Sequence, residues 1–187
     1  MLYILIAITA VIVLILGYFV WVIFNVTHRG FAPFISTGPK VIMRILEILN
    51  PAGDYSGKNI YELGCGKAKF LQEFYKMFPH SNCIGVEYDL WPYFIAKLQA
   101  IYHGYKIKLI REDLFRIKLY DADIIYCYLG KDMMEELEKK FRFECKNRAI
   151  VISHQFPLPN HEAYKVIELN DIKAKKGYEN KIYFYEI

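Results

Sequence analysis

The stretch Asn59-Ile60-Tyr61-Glu62-Leu63-Gly64-Cys65-Gly66-Lys67-Ala68-Lys69-Phe70-Leu71 constrains the fold more than any other part of the chain. An apolar run closed by an acid, two glycines at alternate positions, a small residue and then a helical pattern read as strand, tight loop and helix. Gly64 and Gly66 let the main chain turn sharply and approach a bound molecule where any side chain would collide. Glu62 can take a hydrogen bond from a cationic or hydroxyl-bearing ligand, and Cys65 offers such a ligand its backbone and not its thiol.

Downstream of the loop, strand and helix patterns alternate. Phe70, Leu71, Phe74, Tyr75 and Phe78 recur at helical spacing up to Pro79. Strands are expected over residues 81–87, 106–111, 123–128 and 148–153, with helices over 91–102 and 133–141. The last part changes character, with strands expected over 164–169 and 181–187 around a solvated turn at Lys173 to Gly177. Upstream, Ile42, Ile45, Leu46 and Leu49 share one face of a helix that Asn50-Pro51 stops, with Ser36, Thr37 or Gly38 as its cap and Pro39 in its first turn. The fold class is therefore α/β, a Rossmann-like, doubly wound and mostly parallel sheet of seven strands, antiparallel where the C-terminal hairpin closes it. Ligands of such sheets bind at the carboxyl ends of the strands.

From Leu2 to Val26 there is no charged side chain. As a helix the apolar run to Phe24 is about 34 Å long, enough to cross a bilayer core. Tyr18, Phe19, Trp21 and Phe24 gather near its end, where an aromatic belt belongs. A cleaved signal peptide fits less well, because the run has no basic start and no small-residue cleavage site. Residues 1–27 are thus expected to be a transmembrane anchor contacting the lipid bilayer, followed by a proline-bearing linker at 31–39 and, within 28–187, one domain. The first basic side chains, Arg29, Lys40 and Arg44, all follow the run, which predicts a single-pass membrane protein with its domain on the cytoplasmic side. The four cysteines make neither a C-x-x-C nor a metal cluster and read as reduced, buried thiols, in keeping with that side. The net charge of +4 is too small to argue for nucleic acid. His154 and His161 lack metal-ligand spacing, so no metal is expected.

Three acids are expected to end three successive strands, namely Glu62, Glu87 and Asp113. In an open parallel sheet such positions face one crevice. Glu87 lies 21 positions after Gly66, the spacing at which an acid reaches the ribose hydroxyls of a bound nucleoside. A dinucleotide fingerprint needs a small residue three places after the second glycine, where Lys69 stands, and an acid before the loop would repel a pyrophosphate. The loop suits a cationic aminoacyl nucleoside better.

Glu62-Leu63-Gly64-Cys65-Gly66-Lys67-Ala68 resembles the E/D-x-G-x-G-x-G loop of class I, seven-β-strand methyltransferases that use S-adenosylmethionine. Gly85-Val86-Glu87-Tyr88 looks like their ribose-binding second strand and Glu112-Asp113-Leu114 like their adenine-facing turn. More narrowly, Ala32-Pro33-Phe34-Ile35-Ser36-Thr37, Asp132-Met133-Met134 and Phe156-Pro157-Leu158-Pro159 resemble segments of small membrane-anchored protein-lysine methyltransferases. That group includes the mitochondrial enzymes acting on the ATP synthase c-subunit and the ADP/ATP carrier, and archaeal relatives. The resemblance implies S-adenosylmethionine as cofactor, held by Glu62, Gly64, Cys65, Gly66, Glu87, Tyr88, Asp113 and Leu114. It implies a protein lysine as acceptor, Tyr128 and Tyr126 as catalytic residues, and Thr37, Phe156 and Pro157 at the substrate. Ala68 stands in place of the third glycine, which fits a backbone that keeps φ negative there. Lys67 stands where the family has an acid. A lipid or quinone acceptor, and a cofactor-binding scaffold without catalysis, are the alternatives at this point.

Overall fold

The computed structural model describes residues 2–28, 36–169 and 180–187. The linker at 31–35, Arg29 and the turn at 173–177 lie outside the described residues. The chain divides into two units, residues 1–35 and 36–187.

In the first unit, Leu2–His28 forms α1, a continuous helix of 27 residues. Its stretch Leu2–Trp21 is long and apolar enough to cross a membrane, and none of it is buried. Tyr18 stacks on Trp21 with ring centroids 6.1 Å apart.

The second unit is built on one sheet. In chain order its elements are α2 (Pro39–Leu49), β1 (Asn59–Leu63), α3 (Lys69–Met77), β2 (Asn82–Glu87), α4 (Leu90–His103), β3 (Ile107–Arg111), β4 (Ile124–Cys127), α5 (Met134–Glu144), β5 (Ile150–His154), β6 (Lys165–Glu168) and β7 (Lys181–Glu186). The seven strands lie in the order β3-β2-β1-β4-β5-β7-β6. β1 to β5 pair in parallel, and β7 runs antiparallel between β5 and β6. The chain leaves β1 for β2 on one side and later enters β4 on the other, so the strand order reverses beside β1. That is where an open sheet forms its crevice.

Both faces of the central strands are covered, which is why they read as unbroken apolar runs and not as alternating ones. Ile60, Ile124, Tyr126, Ile152 and Phe184 point to the face carrying α2 and α3, while Tyr61, Leu63, Ile125, Cys127, Val151 and Tyr185 point to the face carrying α5. α2 docks through Val41, Ile42, Ile45, Leu46 and Leu49, all buried, each burial contributing about 1.5–3 kcal/mol. Its N-cap is Gly38, with Pro39 opening the helix, and no side chain caps it. Thr37, one of the three expected caps, turns its hydroxyl elsewhere. On the second face, buried Lys140 donates to the Phe115 carbonyl at 3.1 Å and pairs with Glu144 at 2.9 Å, tying the turn after β3 to α5. All four cysteines are free.

Candidate active site

The loop after β1 is shaped by backbone bonds that its sequence permits. Cys65 donates its N–H to the Val86 carbonyl at 2.9 Å, and Ala68 closes a turn on the Cys65 carbonyl at 2.7 Å. Gly64 has φ +67 and Gly66 φ +55, values that glycine adopts without strain. A Cβ on Gly64 would also stand 2.7 Å from Leu129. Ala68 departs from expectation: its φ is +54, not negative. The left-handed conformation costs an L-residue about 1 kcal/mol. It is retained because Ala68 is the N-cap of α3, with its methyl in the core. The Cys65 thiol tucks against β2, where Gly85 leaves the room; a Cβ there would lie 2.9 Å from Sγ. Cys65 thus meets the crevice through its main chain, and burial pushes its thiol well above the ordinary range.

Glu87 ends β2 at the crevice and is 9% exposed. Its Oε2 accepts Gly66 N–H at 2.7 Å and its Oε1 accepts Asp89 N–H at 2.8 Å. A carboxylate offers about four lone-pair positions, and with the backbone N–H groups of Gly66, Asp89 and Tyr88 drawn to it, Glu87 keeps acceptor capacity for a ligand hydroxyl. That is the requirement of a vicinal ribose diol. Glu62 does not end its strand. It stands one residue before the end of β1, opposite Gly85, and strand alternation turns it toward α3. There it accepts Leu71 N–H at 3.3 Å, one of the first-turn donors that α3 cannot satisfy itself. Burial raises the Glu62 carboxyl well above its ordinary range, and the charge of Glu87 adds to this. Burial raises Glu87 too, against the backbone bonds of Asp89 and Gly66. Neither acid has an ion-pair partner among the described residues. The acceptor set therefore fits a cationic, hydroxyl-bearing nucleoside.

Asp113 lies two residues beyond β3, where its Oδ1 accepts Phe115 N–H at 3.0 Å and closes a tight turn. Leu114 in that turn packs on the second core. Tyr88 follows Glu87 and is 44% exposed. These residues all stand at the carboxyl ends of β2 and β3.

A second group forms at the ends of β4 and β5. Tyr126 is 1% exposed, its ring stacked on Phe70 at 4.3 Å and its hydroxyl bonded to Thr37 Oγ1 at 2.6 Å. It lies in the core, and Thr37 is buried beside it. Tyr128 is half-buried; its hydroxyl donates to Gln155 Oε1 at 2.8 Å and its ring packs on His154 at 4.1 Å. Burial raises the phenol above its ordinary value and lowers the His154 imidazole below its own. Both groups are neutral near pH 7. Gln155 holds φ +76, and its N–H donates to the Lys181 carbonyl at 2.7 Å, so strand β7 fixes the residue in this strained state. The Phe156 carbonyl accepts Ser153 Oγ–H at 2.6 Å, and Pro157 is exposed after it. His154 and Gln155 are missed by motif reading. Their signal is alternation: Tyr126 pairs with Ile152 and Cys127 with Ser153, so continuing the register sets Tyr128 beside His154.

A seven-stranded sheet of this order, with a glycine loop after its first strand and an acid ending its second, defines a nucleoside-binding methyltransferase of the seven-strand class. Comparison with known proteins takes this further. Residues 62–165, more than half of the chain, match the ANTKMT methyltransferase domain family. The chain is 26% identical over 141 residues to a protein-lysine N-methyltransferase of Saccharolobus islandicus (strain REY15A), covering 74% of this chain and 86% of that protein. It is 24% identical over 137 residues to the adenine nucleotide translocase lysine N-methyltransferase of Mus musculus, covering 72% of this chain and 58% of the mouse protein's length. Its fold matches that of an RNA methyltransferase from Salinibacter ruber solved with S-adenosyl-L-homocysteine, with a TM-score of 0.69 at 18% identity over 82% of this chain and 94% of that one. The chain belongs to the ANTKMT methyltransferase domain family and is an S-adenosylmethionine-dependent methyltransferase.

Proposed function

We propose that this methyltransferase N-methylates lysine of a membrane-associated protein. In this reading residues 1–27 are the membrane anchor, and residues 28–187 form the catalytic domain on the cytoplasmic side. The observation that carries the acceptor assignment is the Tyr128 hydroxyl. Its proton is committed to Gln155, so its oxygen keeps lone-pair capacity, and a neutral phenol of this kind accepts an N–H without taking the proton. The two relatives that are lysine N-methyltransferases support the same acceptor.

S-adenosylmethionine, held by Glu62, Gly64, Cys65, Gly66, Glu87, Tyr88, Asp113 and Leu114, supplies a methyl group on a cationic sulfur. What the chain adds is a neutral amine held with its lone pair free. Lysine loses its proton to water on entering, because a site walled by Tyr128 and His154 disfavours an ammonium. Tyr128 then takes one N–H of the amine and fixes its direction. Thr37 and Tyr126 hold the strand beneath, while Phe156 and Pro157 edge the entrance. Tethering to the bilayer raises the local concentration of membrane-borne substrates.

Full-length protein in its native membranes, incubated with methyl-labelled S-adenosylmethionine and followed by peptide mapping, tests the reading. Label is expected on lysine side chains of a membrane protein; label in lipid or quinone alone would overturn it. Tyr128→Phe is expected to lower kcat by up to about 100-fold, the scale of a lost orienting contact, with cofactor affinity unchanged by titration calorimetry.

A further inference from the structure

α4 differs from the other helices on the sheet. Its inner side sets Ala96 and Ala100, both buried, against the strands. Its outer side carries Leu90, Trp91, Phe94, Leu98, Ile101 and Tyr102, exposed by between 47% and 85%. Positions 91, 94, 98 and 101 follow the three-four spacing that makes one continuous stripe. The outer sides of α2 and α5 instead carry Lys40, Arg44 and Glu47, and Glu135, Glu136, Lys139 and Arg142. An apolar outer stripe on a sheet-packed helix needs a cover.

Charge identifies the cover. From Leu90 to Arg111 the chain carries no acid; Lys97 on α4, Lys106 before β3 and Arg111, which alternation sets on the α4 side of β3 with Ile107 and Leu109, are all exposed. A second copy docked through this face would set those cations against each other, because a two-fold interface is self-facing. A surface that is apolar at one depth and anionic just above it satisfies both features. Trp91 and Tyr102 stand near the two ends of the stripe, and such side chains settle at the headgroup boundary.

We propose that α4 lies flat on an anionic lipid bilayer, its stripe in the acyl boundary and Lys97, Lys106 and Arg111 among the headgroups. The proposal rests on the anchor reading, since α1 keeps the domain within reach of the surface. α4 begins three residues after Glu87, so this contact sets the height of the cofactor crevice over the bilayer. It also directs the enzyme to acceptors close to the membrane plane.

The chain has two tryptophans, which lets each contact be read separately. Full-length Trp21→Phe and Trp91→Phe proteins are reconstituted in phosphatidylcholine–phosphatidylglycerol vesicles with plain or brominated acyl chains. Trp91, observed in Trp21→Phe, is expected to lose about half of its emission in brominated vesicles, as an indole at the acyl boundary does. The loss should shrink in phosphatidylcholine alone; an equal loss there overturns the role of the cations. Trp21, observed in Trp91→Phe, reports the anchor. Quenching of Trp21 with none of Trp91 overturns the α4 proposal and leaves the anchor standing. Quenching of Trp91 without Trp21 overturns the anchor and supports α4, and quenching of neither overturns both. An unquenched Trp91 whose emission shifts on dilution assigns the stripe to a second copy and likewise overturns the proposal.

Discussion

The two ends of the sheet treat their carboxylates in opposite ways. At the amino ends of the strands, Asp123 accepts Asn59 N–H at 2.9 Å and pairs with Lys146 at 2.8 Å and Lys58 at 3.4 Å. Burial pushes its carboxyl up, but Lys146 and the Asn59 amide outweigh that and hold it below the ordinary range. At the carboxyl ends, Glu62 and Glu87 meet backbone N–H groups and no cation, and both are held above the ordinary range. One end is fastened for stability. The other is left without a cation among the described residues, and in the proposed reading a sulfonium nucleoside supplies that charge on binding.

The largest effect that can break this comparison is at Glu87. Glu87→Ala removes the acceptor of the Gly66 N–H that shapes the loop and, in the proposed reading, the acceptor of the ribose hydroxyls. With charge-assisted hydrogen bonds at about 1.5–3 kcal/mol each, the Kd for S-adenosylmethionine should rise at least about 100-fold. Calorimetry on Asp123→Asn should show Kd within about twofold of the parent, since the opposite end of the sheet carries no ligand contact. Equal losses in the two variants would refute the division of labour.

The cofactor half was legible in the sequence because its chemistry is local. A strand, two glycines and an acid on the next strand fix a loop whose bonds are mostly backbone, and Glu87 falls where its spacing from Gly66 predicts. Glu62 was legible in type but not in direction: only the pairing of β1 with β2 shows that it faces α3. The proposed acceptor half depends on contacts remote in sequence. Thr37 meets Tyr126 across 89 positions, and Gln155 is held by a strand that begins at Lys181. No local pattern encodes those bonds. Ala68 is a third case, where a packed methyl overrides a backbone preference that sequence reasoning treats as a rule.

Glu62→Gln sharpens the comparison by removing one unneutralised charge while keeping an oxygen for Leu71 N–H. A carboxyl raised in the folded state contributes stability that is complete below its unfolded value of about 4.3 and is lost as pH rises through the folded value. The ligand-free variant should therefore melt roughly 3–6 °C above the parent near pH 8. The gap should close as pH falls below about 4. Cofactor binding, which draws on that charge, should weaken in the same variant. Scanning calorimetry across pH, with and without S-adenosylmethionine, reads both. A variant that melts lower at pH 8 would show that Glu62 is ionised and already compensated in the free protein.

Asp123→Asn should show the reverse pH dependence with a smaller amplitude. A carboxyl depressed in the folded state contributes stability present above its unfolded value of about 3.9 and lost as pH falls through the folded value. The variant should thus melt below the parent at pH 7 and match it near pH 2. The side chains of Lys58 and Lys146 are 52% and 41% exposed, so solvent screens both pairs and the loss is held to about 0.5–1 kcal/mol, or about 1–4 °C. Raising salt from about 0.1 to 1 M shortens the screening length from about 10 to 3 Å and should remove much of that difference. The Glu62→Gln gain should persist in the same salt, because bulk ions screen a carboxylate only 6% exposed far less than a surface pair. If both differences responded equally to salt, the contrast between a fastened end and a charge-deficient end would reduce to ordinary surface electrostatics.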